Sequence, residues 1–289
     1  MPRVALVTDS TASLPDDVAA AYDVTVVPLQ VVIGAEAFDE GTPGATSERV
    51  AAALREYRPV STSRPAPALM LETYEALAAD GAEQIVSVHI SGEMSGTHES
   101  AQVAARKASV PVLTVDSRQV GVATGYAVLA AAEVLAAGGS AEKAAAAARS
   151  RAEASASLFY VDTLEYLRRG GRVGAAAALL GGALAVKPLL RIHEGSVASL
   201  ERVRTSGRAL ARLEELAVEA AGEHAAVDVC VAHLASPERA EALQAKLADR
   251  LADPLQGREV WCGELGAVLG AHVGPGMLAV CVAPRLPTA

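Results

Sequence analysis

"QIVSVHISGEMSGTHESAQVAARK", residues 84–107, decides the fold. Its first part, Gln84 to Ser91, is a short apolar run rich in β-branched residues, as suits a strand buried on both faces. Its last part runs as a helix to about Lys107. Between them stands the polar, glycine-containing loop Ser91-Gly92-Glu93-Met94-Ser95-Gly96-Thr97. A strand, a short loop and a helix in that order belong to parallel α/β architecture, which binds ligands in the crevice beyond the carboxyl ends of its strands.

The neighbouring sequence repeats this grammar. "RVALVTD" (3–9) reads as a buried strand, and "STASLPDDVAAAY" after it as a helix capped by Ser13, with Pro15 and two acids in its first turn. "VTVVPLQVVIG" (24–34) is β-branched but interrupted by Pro28, which predicts an edge strand or two short pieces. Helices are expected over Ser47–Glu56 and Ala66–Ala79, a strand over 110–117, helices over 120–137 and 141–155, and a strand over 157–163. The alanine run 141–148 reads as helix rather than linker.

After residue 160 the texture changes. "LEYLRRGGRVGAAAALLGG" is basic, then apolar and punctuated by glycine. "VKPLLRIHEGSVASLERVRT" (186–205) reads as a β-hairpin turning at Glu194-Gly195, and a long helix is expected over 206–221. Strands at 227–234, 258–265 and 277–284, with a helix at 237–252 and a glycine-rich segment before the last strand, complete the reading. The expected fold class is α/β with two domains. Residues 1–157 form an N-terminal Rossmann-like domain with a mostly parallel sheet flanked by helices. Residues 158–289 form a C-terminal α/β domain with a mixed, partly antiparallel sheet.

Composition excludes several classes of function. The formal net charge of −9 argues against nucleic acid and against an anionic membrane surface. Cys230, Cys262 and Cys281 lie far apart, with no CxxC or Cys/His cluster, so neither zinc nor a disulfide framework is expected, nor any other metal or cofactor. No apolar run reaches the roughly 18 residues of a membrane span, and the N-terminus carries no signal-peptide pattern. A cytoplasmic location is expected. Hydrophobic residues make up 51% but aromatics only 3%, so Ala, Val and Leu must fill the core.

Four stretches carry candidate chemistry. Ser95-Gly96-Thr97 opens a helix, where free N–H groups and the helix dipole favour an anion; a plain helix cap accounts for the same residues. "VSTSRPAP" (60–67) sets Thr62, Ser63 and Arg64 before a proline-started helix, either as ligand contacts or as a polar loop. "GAVLGAHVGPG" (266–276) holds His272 among glycines that permit close backbone approach. It reads as a partner-binding histidine or as a structural one. "LRRGGRVG" (167–174) groups Arg168, Arg169 and Arg172 around paired glycines, a phosphate-facing loop or a solvated turn, without the Lys-Ser/Thr of a P-loop. Arg202 and Arg204 read as strand-surface charges unless a partner docks there. A serine hydrolase using Ser95 and His272 is disfavoured, because Ser95 lacks a G-x-S-x-G setting and no acid is placed to orient His272.

In their order along the chain, "VTDSTASLP" (7–15), "VPLQVVIG" (27–34), "TSRPAP" (62–67), "SGEMSGT" (91–97), "VDSRQVGVATG" (115–125), "DTLEYLRRGGRVG" (162–174), "KPLL" (187–190) and "GAHVGPG" (270–276) resemble the DegV family, which includes the fatty-acid-binding, FakB-type subunits of bacterial fatty acid kinase. The resemblance spans nearly the whole chain. It implies a long-chain fatty acid, palmitate- or oleate-like, held between two α/β domains as ligand, with no catalytic residues on this chain. It assigns the carboxylate to Thr62, Ser95 and His272, an acyl-phosphate contact to Arg172, and docking on a separate DhaK/DhaL-like fatty acid kinase subunit to Arg204. Glu93 departs from the glycine frequent in the family. The alternatives are a lipid-sensing or transport protein without a kinase partner and, below it, the Ser95/His272 acyl hydrolase.

Overall fold

A computed structural model describes residues 2–179, 187–222 and 224–285. The chain opens with β1 (Val4–Asp9), a 3-10 turn (Ser10–Ala12), α1 (Asp16–Ala21) and β2 (Val24–Val27). It continues through β3 (Gln30–Ile33), β4 (Glu36–Asp39), α2 (Ser47–Arg55) and β5 (Val60–Ser63). Next come α3 (Pro67–Ala79), β6 (Gln84–His89), α4 (Thr97–Ala105), β7 (Val112–Asp116), α5 (Val122–Ala136) and α6 (Ala141–Ala154). The remainder is β8 (Ala156–Tyr160), α7 (Glu165–Arg169), a 3-10 segment (Gly174–Leu179), the hairpin β9 (Lys187–His193) and β10 (Ser196–Val203), α8 (Ser206–Gly222), β11 (Val227–His233), α9 (Pro237–Arg250), α10 (Ala252–Leu255), β12 (Trp261–Glu264), α11 (Ala267–Val273) and β13 (Leu278–Pro284).

Two compact units result, and they are not contiguous in sequence. Among the described residues, the first takes 2–30 and 63–154, and the second takes 31–62 and those from 155 to 285. The linear reading ran 1–157 and 158–289; segment 31–62, which it kept with the first part, groups with the second.

In the first unit the sheet order is β2-β1-β6-β7, with every neighbour parallel. Alternate residues feed opposite faces. Ala5, Val7 and Ile85 pack with Met70, Tyr74 and Ala104 of α3 and α4. Leu6, Val86 and Val88 pack with Ala127, Ala131, Ala144 and Ala148 of α5 and α6. Helices on both faces explain why β1 and β6 are continuous apolar runs rather than alternating ones. The alanine run is α6, whose small side chains let it lie close against α5. Pro28 splits the early apolar stretch into β2 and β3, and these join different sheets. Ser13 does not cap α1; it takes a left-handed conformation (φ 53), and Pro15 occupies the cap position without a side-chain hydrogen bond.

A buried polar chain crosses the α3 side of this unit. Asp9 Oδ2 lies 2.9 Å from His89 Nδ1 and accepts the Ile90 N–H, while Oδ1 accepts from the Thr11 backbone and hydroxyl. His89 Nε2 lies 2.7 Å from Ser87 Oγ, which lies 2.9 Å from the Tyr74 hydroxyl. Burial pushes the Tyr74 phenol up to about 12. Asp9, His89, Ser87 and Tyr74 all have 0% exposure, so every hydrogen bond here offsets desolvation that nothing else would.

The second unit is built on a mixed sheet in the order β10-β9-β8-β13-β11-β12, antiparallel throughout except for β11 with β12. The β9–β10 hairpin turns at Glu194 (φ 50) and Gly195 (φ 82), two left-handed residues that match the twist of the flanking strands. Ala209, Leu213, Ala217 and Ala221 recur every four residues along α8 and bury one stripe against Leu158, Leu189 and Val280. Strands β4-β3-β5 form a separate small sheet. The expected strand at 258–265 begins only at Trp261, and the glycine-rich segment after it folds as α11. Residues 180–186, part of the glycine-punctuated apolar stretch, lie outside the described residues.

Replacing His89 with Ala removes the central link of this buried chain, leaving Asp9 Oδ2 only the Ile90 N–H and Ser87 without its imidazole partner. Urea denaturation is expected to show a loss of about 3–5 kcal/mol relative to wild type, with an unchanged m-value.

Candidate functional site

The second unit brings Thr62 and His272 together. Thr62 sits at the end of β5, the strand that replaces the expected polar loop, and its Oγ1 lies 2.8 Å from His272 Nε2 on α11. The two residues are 210 positions apart. Segment 31–62 holds α11 at its other end as well. Glu40 Oε1 accepts the Val268 N–H at 2.7 Å in the first turn of the helix, and Ser47 Oγ donates to the Leu265 carbonyl at 2.6 Å just before it. A carboxylate on the first-turn N–H groups satisfies an otherwise orphaned donor and complements the helix dipole.

The other edge of His272 meets α7. A Cβ on Gly170 would stand 2.2 Å from Nδ1, a Cβ on Gly274 2.0 Å from the Tyr166 ring, and a Cβ on Gly276 2.1 Å from Asp162 Oδ2. The glycines of "RRGGR" and "GAHVGPG" are therefore the places where these two segments touch. Nδ1 is buried and has no hydrogen-bond partner among the described residues. Arg172 follows directly, its Nη1 donating to the Gly170 carbonyl at 2.5 Å. Burial, reinforced by the Arg172 charge, pushes the His272 imidazole down to about 4, so the ring is neutral at pH 7. A cavity of about 310 Å³ adjoins Gly170 and Ala271, rimmed by Tyr57, Arg58, Tyr166 and Arg169.

Ser95 belongs to the first unit, in the turn between β6 and α4. The Ser91 carbonyl accepts the N–H groups of Met94 and Ser95, and Ser95 Oγ lies 2.8 Å from Thr97 Oγ1 and accepts the Thr97 N–H at 3.3 Å. Gly96 holds the cap position of α4, so the Ser95 hydroxyl stands just outside the helix. Arg64 braces this turn: its Nη1 donates to the Gly96 carbonyl at 3.0 Å and to Glu99 at 2.6 Å. Of the two readings of Arg64, ligand contact or polar loop, this exposed ion pair accords with the second. Ser63 is exposed and donates to the Arg64 carbonyl. Glu93 is exposed.

Arg204 is exposed just beyond β10. Arg168 and Arg169 both bond to Glu165, whose carboxyl they hold down at about 2, so these two are ion-paired rather than free. No group of His, Cys, Asp and Glu side chains suited to a metal ion occurs among the described residues. No helix among them is long and apolar enough to cross a membrane. The sequence reading missed Glu40, Tyr166 and Gly170. Gly170 stood in a quoted motif, but nothing local marks it as the residue that meets His272.

The chain as a whole has counterparts among known proteins. A family model described as "Uncharacterised protein, DegV family" matches residues 3–285. The chain belongs to the DegV family. A DegV domain-containing protein of Streptomyces coelicolor is 53% identical over 284 residues, covering 98% of this chain and 99% of that one. Among solved structures, a DegV family protein from Thermus thermophilus, described by its fatty acid binding, superposes with a TM-score of 0.90 at 32% identity, covering 98% of this chain and 100% of that one. DegV from Bacillus subtilis, described as a fatty acid binding protein, gives 0.89 at 29%, covering 99% and 100%. The α/β architecture is thus that of the DegV fold.

The depressed His272 value has a consequence for stability. Between about pH 6.5 and 4 the unfolded chain takes up a proton at this position and the folded chain does not, so stability falls as the pH drops through that window, by up to about 3 kcal/mol. Urea unfolding at stepped pH is expected to show this slope in wild type and its flattening in His272→Asn.

Proposed function

We propose that this DegV-family chain binds a long-chain fatty acid, palmitate- or oleate-like, buries its tail and presents its carboxylate to a separate fatty acid kinase for phosphorylation. The observation that carries this reading is the Thr62–His272 hydrogen bond, made by a partly buried, neutral imidazole beside Arg172. A Thr62 hydroxyl polarised by a neutral imidazole suits one oxygen of a carboxylate, and Arg172 supplies a charge suited to an acyl-phosphate. Its 32%-identical neighbour from Thermus thermophilus, described by its fatty acid binding, supports the same class of ligand.

The energetics divide the work. Burying about 15 methylenes offers about 12 kcal/mol at about 0.8 each, before the entropic cost of association. Hydrogen bonds to the charged head add about 1.5–3 kcal/mol each and fix its orientation. The tail supplies affinity and the polar groups supply register. The chain acts as a carrier in the cytoplasm, with a DhaK/DhaL-like subunit docking around Arg204. The hydrolase alternative fares poorly: His272 Nε2 is engaged by Thr62, and no acid meets Nδ1 among the described residues.

Native mass spectrometry of the purified protein is expected to release a C14–C18 acid on denaturation. No bound acid and no uptake of added oleate would overturn the reading. Ser95→Ala is expected to weaken oleate loading about tenfold or more and lower the Tm of the loaded form. Arg172→Ala is expected to load normally and lose acyl-phosphate formation with a kinase subunit. Loss of loading instead would move Arg172 into the carboxylate site.

A further inference from the structure

His272 poses a question of proton placement. A neutral imidazole carries one N–H, on Nδ1 or on Nε2, and the other nitrogen offers a lone pair. Nε2 faces Thr62 Oγ1 at 2.8 Å, a distance that either direction of donation satisfies. Nδ1 faces Gly170, where a Cβ would stand 2.2 Å from Nδ1 and 2.9 Å from Cε1. In glycine that Cβ position is taken by an α-hydrogen, which points along the same line toward Nδ1. A proton on Nδ1 would meet this hydrogen head-on and, being buried with no acceptor among the described residues, would carry the cost of an unpaired donor. A bare Nδ1 lone pair instead receives the Cα–H as a weak hydrogen bond.

We propose that Gly170 sets the tautomer of His272, holding its proton on Nε2, so that His272 donates to Thr62 and frees the Thr62 hydroxyl proton for an anionic ligand. The consequence follows from counting donors. If Nε2 were bare, Thr62 would spend its only proton on His272 and turn lone pairs toward a carboxylate. With Nε2–H donating, Oγ1 accepts once and its own proton is available to a carboxylate oxygen. Gly170 is thus a positioning residue, acting on the ligand through His272 and Thr62. Its backbone, at φ −72 and ψ −9, suits any L-residue, so a side chain is opposed there by the imidazole ring and the nearby Tyr166 carbonyl, not by strain in φ and ψ. The role of the Thr62 proton rests on the fatty-acid reading; the tautomer itself does not.

Long-range proton–nitrogen NMR correlations on the full-length ¹⁵N-labelled protein at pH 7, with His272 assigned by its loss in His272→Asn, separate the two. The expected spectrum has a bare Nδ1 and a protonated Nε2. Gly170→Ala is expected to erase that signature and weaken oleate loading by about tenfold or more. His272→Gln, whose amide N–H reaches the Nε2 position, is expected to keep loading within about tenfold of wild type. His272→Asn, whose amide reaches only the Nδ1 position, is expected to fall as far as His272→Ala. A protonated Nδ1 in wild type, or a Gly170→Ala variant with unchanged spectrum and loading, overturns the proposal. An Nε2–H tautomer in a protein that takes up no oleate upholds the tautomer and overturns the carboxylate reading instead.

Discussion

The hydrogen bond between Thr62 and His272 is the constraint on which the arrangement of the candidate site depends. α11 spans only Ala267–Val273, too short to persist on helix propensity alone. Its conformation is imposed from outside. Glu40 takes a first-turn N–H, Ser47 takes the carbonyl before the helix, Thr62 takes the imidazole, and α7 closes against the glycines. Three of these contacts come from segment 31–62, which explains why that stretch groups with the second unit although most of its chain neighbours belong to the first. A partly buried histidine gains from such a seat, because a ring fixed on two edges cannot rotate away from its hydrogen-bond partner.

A second economy runs through both units. With few aromatics, the chain packs elements closely by keeping side chains small where surfaces meet. Alanines line the α5–α6 contact, and glycines receive the Tyr166 ring, the His272 ring and the Asp162 carboxylate. Close packing of this kind raises the cost of any added carbon, since interiors have little free volume to absorb it. Polar groups drawn into such a framework have to be paired internally. The Asp9–His89–Ser87–Tyr74 chain is the fullest example, a run of hydrogen bonds tying the end of β1 to β6 and α3. It connects the "VTDS" loop to the strand leading into the Ser95 turn, so the two loops at the carboxyl ends of β1 and β6 share one rigid base.

Much of this was legible in the linear sequence. The apolar run 84–91 marked β6, the loop after it marked the strand-to-helix turn, Glu194-Gly195 marked a hairpin, and the stretch 206–221 marked the long helix α8, because each pattern arises from contacts between near neighbours or from one element's own periodicity. The parallel sheet with helices on both faces followed from the same patterns. Where local chemistry was ambiguous the sequence misled. Ser13 looked like a cap but lies in a left-handed turn. "VSTS" looked like a loop but pairs as a strand in a sheet with β3. The glycines around His272 looked like a loop but form a helix held by distant partners.

By itself, then, the sequence determined the alternation of strands and helices, the change of texture near residue 160, and the motifs that carry the family's signature, all through interactions short in sequence. Only the tertiary structure decided that Thr62 meets His272 across 210 positions, that Glu40 and Ser47 fix the helix bearing it, and that Gly170 lies against Nδ1. No local periodicity encodes such contacts. They exist because burial brings remote segments together and then requires each polar atom among them to find a partner, or a neighbour small enough to let it go without one.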